Sequence, residues 1–273
     1  MVTKMSKALM TIHGFLSDVH DFGRLYEYLN MYDKVVACKI PGHNDKLDFT
    51  KFTVDNTLNA VLHCYDELAQ NYDQIDVVGY SMGATLATYL CTQRKVHKLV
   101  LVAPGNKYIN LDSPLATLKF YLRFVAQTYT KTNGSLKQRI ESTKKALSPY
   151  VNNAVALNHA ATKSFFPNIN MYTFTTFANV IKACNLQLED HSPIDVPTLL
   201  FRGELDELVP MASVDFVCKH FTNLQKIFYD DVGHMLMLSN RDMDFITATL
   251  NFLTDGNFNQ TIPPKQTNNA ITR

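Results

Sequence analysis

A membrane-spanning helix needs about 20 consecutive apolar residues, and no run of this chain approaches that length. Cysteine is sparse. Cys38, Cys64, Cys91, Cys184 and Cys218 are odd in number and widely spaced, with no Cys-x-x-Cys pair. That argues against a disulfide framework or a zinc site and for a reducing cytoplasm. Neither sign of charge is in excess: 26 Lys and Arg face 25 Asp and Glu, for a net charge of +1 and a pI of about 7.7. Such a balance speaks against nucleic acid or an anionic membrane as the main partner. The pairs Arg94-Lys95 and Lys144-Lys145 read as solvated surface charge. Tryptophan is absent while Asn, Lys and Tyr are common, the bias of an AT-rich coding sequence. The N-terminus is basic, but Ala8–Ile12 is too short for a secretory core and reads as a first strand.

What remains is a chain of 273 residues, 46% hydrophobic, able to bury one large core or at most two domains. Its first part alternates regularly. Strand-like Ala8–Ile12 stops at His13-Gly14. A helical pattern over Asp18–Leu29 places Phe22, Leu25, Tyr26 and Leu29 at helical spacing. Strand-like Lys34–Ile40 closes at Pro41-Gly42-His43, and a helix follows over about Phe52–Gln70. Ile75, Val77 and Val78 mark a third strand, Ala84–Leu90 a helix, and Lys98–Ala103 a fourth strand. This alternation predicts a parallel sheet with helices on both faces, whose ligands bind at the carboxyl ends of the strands.

The alternation breaks at about residue 106. From there to 192 helical patterns dominate (Leu115–Tyr129, Leu136–Leu147, Tyr172–Cys184), with aromatics such as Phe120, Phe124, Phe174 and Phe177. This stretch is expected to be a helical cap inserted into the frame of residues 1–105 and 193–254, with some of its aromatics lining a pocket. The frame resumes with strand-like Pro197–Gly203, a helix over Ala212–His220, a strand over Gln225–Tyr229 and a helix over Arg241–Leu253. Residues 255–273 form a polar tail expected to be poorly ordered.

The chemistry centres on Gly79-Tyr80-Ser81-Met82-Gly83. A Gly-x-Ser-x-Gly pattern between a strand and a helix is a nucleophile elbow: the turn is so sharp that only small residues fit two places before and after the serine. Ser81 is the expected nucleophile. A serine hydroxyl needs a base, and His234, which follows a strand beside Gly233, suits that role near neutral pH. Gly233 is expected to permit a tight loop. A buried carboxylate should orient the histidine. Gly203-Glu204-Leu205-Asp206-Glu207-Leu208-Val209-Pro210 also follows a strand, and Asp206 is the expected acid, with Glu204 and Glu207 facing solvent or a helix start. The oxyanion of an acyl-transfer intermediate needs backbone N–H donors. Met82, after the nucleophile, and Phe15, in the loop after the first strand, are the expected pair. Their side chains would then be available to shape an acyl pocket. His13 reads as a structural residue of that loop.

With these residues placed, the chain resembles the α/β-hydrolases, and more narrowly the bacterial carboxylesterase and monoacylglycerol-lipase-like group. The resemblance is carried by His13-Gly14-Phe15, Pro41-Gly42-His43, Gly79-Tyr80-Ser81-Met82-Gly83, Gly203–Pro210 and Gly233-His234. It implies an α/β fold with a mostly parallel sheet of about six strands, flanked by helices and carrying a cap. It also implies a cofactor-free, metal-free serine esterase acting on a small-molecule ester through Ser81, Asp206 and His234. Ser81 sets the chain apart from the epoxide and haloalkane branches, which carry aspartate at the elbow. Two departures stand out. Asn44 replaces a glycine the family often has, and the chain begins at what resembles the family's third strand. The implied substrate is a short-to-medium acyl or monoacylglycerol-like ester. A thioesterase or C–C bond hydrolase would use the same residues, and a non-catalytic binding protein would have no need of all three. Monomer and homodimer both remain open.

Overall fold

The computed structural model describes residues 5–43, 48–107 and 171–256. Asn44 and the expected helices over Leu115–Tyr129 and Leu136–Leu147 lie outside these residues, as does the tail from residue 257. Strands β1 (Lys7–Ile12), β2 (Lys34–Cys38), β3 (Gln74–Tyr80), β4 (Leu99–Val102), β5 (Thr198–Gly203) and β6 (Leu224–Tyr229) form one six-stranded sheet. Its order is β2-β1-β3-β4-β5-β6, and every neighbouring pair is parallel, as the alternation predicts. Helices α1 (Val54–Ala69), α2 (Met82–Gln93), α3 (Met171–His191), α4 (Met211–His220) and α5 (Asp242–Leu253) complete the described frame.

The four inner strands, β1, β3, β4 and β5, are buried on both faces and largely apolar, whereas the edge strands β2 and β6 are partly exposed. Ala8, Met10 and Ile12 of β1, with Val77 of β3 and Leu99 and Leu101 of β4, pack into one core with α1, α2, α3 and α4. Leu9, Val78, Val100, Val102 and Phe201 point the other way, into a second core with α5 and the segment before β2. Successive residues thus serve opposite cores, as the pleat dictates. Burying each large side chain such as Phe201 or Phe245 contributes about 1.5–3 kcal/mol, so these two cores dominate stability.

Two local features differ from the sequence pattern. The segment expected as one helix over Asp18–Leu29 is a 3₁₀ stretch, Val19–Tyr28, broken at Gly23, whose φ is +50°. The apolar spacing is right, with Phe22 and Leu25 buried, but the chain must turn sharply at Gly23 to pass the backbone of Met237. At the other end of the described chain, α3 lies against α1 and α2, burying Phe177, Val180, Ile181, Cys184 and Leu188. The helix expected over Tyr172–Cys184 is therefore longer and closely packed on the body.

All five cysteines are free. Burial pushes the Cys91 and Cys184 thiols well up, so neither is poised to react. Among the described residues, no helix is long and apolar enough to cross a membrane, and no three His, Cys, Asp or Glu side chains group as a metal site would require.

Candidate active site

Ser81 sits between β3 and α2 with φ +54° and ψ −116°, a left-handed conformation costly for any residue but glycine. Its neighbours make the strain possible. A Cβ on Gly79 would lie 2.5 Å from the Gly83 carbonyl oxygen, and one on Gly83 only 1.9 Å from that of Ile12. The turn is tied at both ends: Ser81 N–H donates to Val102 O at 2.9 Å, and Ser81 O accepts from Ala84, Thr85 and Gly105. The hydroxyl makes no cap hydrogen bond to α2. It lies instead 3.0 Å from Nε2 of His234.

The other ring nitrogen of His234, Nδ1, is 2.8 Å from Oδ2 of Asp206, and both side chains are buried. Oδ1 of Asp206 accepts the N–H groups of Leu208 and Val209, each at 2.9 Å. The carboxylate is thus held by its own loop while one oxygen faces the imidazole. With a carboxylate on Nδ1, the proton belongs there, and Nε2 is left to accept from Ser81. Strand β5 brings this loop against the histidine loop so closely that a Cβ on Gly203 would lie 2.1 Å from Val232 O. Gly233, by contrast, has no left-handed backbone, and a Cβ there would meet only Leu205 O at 3.5 Å. The tight histidine loop expected of Gly233 is enforced by Gly203. Glu204 is exposed and Glu207 half-buried.

Phe15 and Met82 come from neighbouring pieces of backbone. The missing side chain of Gly83 lets the first turn of α2 rest on the backbone of Ile12 and His13, directly before the loop of Phe15. The positive end of α2 favours negative charge at this place. The Met82 side chain is fully buried in the core and leaves the shaping of any pocket to others. The Phe15 ring is only partly buried. It stacks on Phe177 with centroids 4.4 Å apart and meets Phe174 edge-on at 5.9 Å. His13 is committed to structure: Nδ1–H donates to Gly14 O at 2.9 Å, and Nε2 accepts from Ile40 N–H at 3.3 Å. Burial lowers its pKa, so it stays neutral.

Three supporting side chains escape the sequence pattern. Tyr80 donates from its hydroxyl to His234 O at 3.3 Å, and its ring lies 5.2 Å from the imidazole. Arg202, buried beneath the acid loop, reaches the carbonyls of Asp206 and Val209 at 3.4 and 3.2 Å. Asp21 is buried near His234 and binds the Gly14 loop. A second Asp–His pair lies elsewhere: Asp76, at the start of β3, holds His97 Nδ1 and Tyr32 Oη, each at 2.6 Å. It sits away from the carboxyl ends of the strands.

Ser81, His234 and Asp206 thus form a continuous chain of hydrogen bonds at the carboxyl edge of the sheet, of the kind that turns a hydroxyl into a nucleophile. A family model described as the alpha/beta hydrolase fold matches residues 8–241. The chain is 22% identical over 250 residues to a pimeloyl-[acyl-carrier protein] methyl ester esterase from Legionella pneumophila, covering 90% of this chain and 94% of that protein. Among solved structures it is similar to a metagenome-derived lipolytic enzyme, with a TM-score of 0.61 at 12% identity over 92% of this chain and 95% of the other. It is also similar to a meta-cleavage product hydrolase from Pseudomonas fluorescens, with a TM-score of 0.58 at 15% identity over 93% and 92% of the two chains.

Proposed function

The chain belongs to the alpha/beta hydrolase family, whose esterase-like members it resembles along its whole body, and from that premise we propose that it is a serine carboxylesterase acting on short-to-medium acyl esters. One observation carries the reading: the unbroken contact from Ser81 Oγ through His234 to the buried Asp206 carboxylate. In the proposed cycle Ser81 attacks the ester carbonyl as His234 Nε2 takes its proton. The oxyanion is held by the amides of Phe15 and Met82. The alcohol leaves with the proton from His234, and the acyl group stays on Ser81. Water, deprotonated by the same imidazole, then attacks the acyl-enzyme and releases the acid.

The partly exposed rings of Phe15 and Phe174 favour an apolar acyl group beside the reacting carbon. The cap expected over residues 106–192 would complete that pocket. The substrate is a small molecule, and the reaction as proposed asks for no metal or cofactor.

Fluorophosphonate labelling joined to a panel of p-nitrophenyl esters of rising chain length tests the reading, with a methyl ester and a thioester included. The folded wild type should be labelled and should hydrolyse short and medium oxygen esters fastest. A folded wild type that takes no label, or a Ser81→Ala variant with wild-type turnover, ends it. Preference for the thioester would move the reading to a thioesterase.

A further inference from the structure

The strongest group left over by this mechanism is Asp21. It lies in the 3₁₀ stretch after β1, is 3% exposed, and lacks a cationic side chain in hydrogen-bond contact among the described residues. Its two oxygens grip the loop after β1 at both ends. Oδ2 accepts Gly14 N–H at 2.9 Å, and Oδ1 accepts the Ser17 hydroxyl. Between those two anchors are Phe15 and Leu16, the latter with φ +56°. Gly14 is wedged so tightly that a Cβ there would lie 3.2 Å from Asp21 Oδ2 and 3.3 Å from the Tyr80 ring.

We propose that Asp21 is a positioning residue for catalysis, its ionised carboxylate holding the Gly14–Ser17 loop so that the Phe15 amide faces the oxyanion. The inference rests on the proposed function, since it needs Phe15 to be an oxyanion donor.

Two considerations support it. The ionised form is the one that accepts both bonds; a protonated carboxyl gives up acceptor capacity. Burial pushes the Asp21 pKa up to about 6, against the opposing pull of the Ser17 and Gly14 hydrogen bonds. The charged or titratable groups that bear on it are Asp18 and Tyr26 from its own segment, Tyr80 from β3 and His234 from the loop after β6. Of these His234 favours the ionised form. The second consideration is thermodynamic. A carboxyl whose pKa is higher folded than unfolded weakens the fold as pH rises from about 4 to about 6, and the whole penalty persists above that. A buried charge that costs stability at neutral pH is what a functional constraint leaves behind.

The test compares wild type with Asp21→Asn, Asp21→Ala and Ser17→Ala in hydrolysis of p-nitrophenyl acetate between about pH 5 and 9. Asp21→Ala should lower kcat by about tenfold or more with KM within about twofold, because a misplaced oxyanion donor acts in the transition state. Asp21→Asn keeps the shape but not the charge. It should lose less kcat, while its Tm at pH 8 equals or exceeds that of wild type. In wild type, protonation of Asp21 should add to the acid limb of log(kcat/KM) a bounded extra fall near pH 6, no larger than the loss seen in Asp21→Asn, and Asp21→Asn should lack that extra fall. Ser17→Ala should move the acid limb to higher pH. Folded Asp21→Asn with wild-type kcat and wild-type acid limb overturns the inference, even if Asp21→Ala does not fold. That outcome beside an inactive Ser81→Ala removes this inference alone, whereas an active Ser81→Ala removes the serine mechanism with it.

Discussion

Nδ1 of His234 lies 2.8 Å from Oδ2 of Asp206, and the acid's other oxygen is occupied by two backbone N–H groups. The carboxylate can neither rotate away nor offer a different face. It therefore fixes the imidazole tautomer and orientation. Asp206→Asn should leave the fold intact and present an amide that can donate to Nδ1, which puts the ring proton on the wrong nitrogen. We expect kcat to fall by about 10²- to 10⁴-fold, less than in Ser81→Ala or His234→Ala. Steady-state kinetics with active-site titration measures it; an unchanged kcat in Asp206→Asn would assign the acid elsewhere.

Gly83 and Gly233 flank two candidate catalytic residues but face different constraints. Gly83→Ala would drive a methyl group to 1.9 Å from the Ile12 carbonyl oxygen, backbone that cannot yield without separating α2 from β1. It should cost about 3 kcal/mol or more, or prevent folding. Gly233→Ala meets Leu205 O at an ordinary 3.5 Å and should change stability by less than about 1 kcal/mol. Urea unfolding of both variants decides the matter. Equal effects would contradict the close packing at the elbow.

His43 should make the fold sensitive to acid. It is buried among Phe49, Phe52 and Phe15, its Nδ1 is 3.3 Å from Pro41 O, and its Nε2 has no hydrogen-bond partner among the described residues. Burial, helped by the nearby His13, depresses its pKa to about 3. The unfolded chain takes up a proton near pH 6.5 and the folded chain does not. Stability is therefore full above about pH 6.5 and is lost as pH falls toward 3. Asp21 works in the opposite direction between about pH 6 and 4, but its shift is smaller. His43→Phe keeps a ring against its neighbours and removes the titration. Its urea midpoint should fall less than that of wild type between pH 7.5 and pH 5, and parallel curves would refute the assignment.

Much of this was legible because strands buried on both faces write themselves as apolar runs with Gly or Pro at the end. Val77-Val78-Gly79 and Leu199-Leu200-Phe201 could hardly be anything else. Ser81 and Asp206 could be proposed because each closely follows such a run, and His234 because it stands beside Gly233 in the loop after the half-exposed strand β6. Tyr80, Arg202 and Asp21 could not: Tyr80 acts on a loop 154 residues away, and Arg202 and Asp21 each grip a neighbouring loop through contacts that no motif marks. The faint signal for Asp21 was an acid four residues after Ser17 and flanked by Phe22, in a segment with an apolar face. The break at Gly23 hid in a pattern whose spacing suits an α-helix. The role given to Gly233 belonged to Gly203, because a close approach depends on which backbone lies opposite.

The hydroxyl of Ser81 and the imidazole of His234 are separated by 153 residues and three strands of the sheet. During synthesis the elbow therefore leaves the ribosome long before its base exists. Under the proposed mechanism a nascent chain, or a fragment ending before β6, holds an inert alcohol. Under that same mechanism hydrolysis begins only when the edge strand has docked, which would make ester turnover a direct reporter of completed folding.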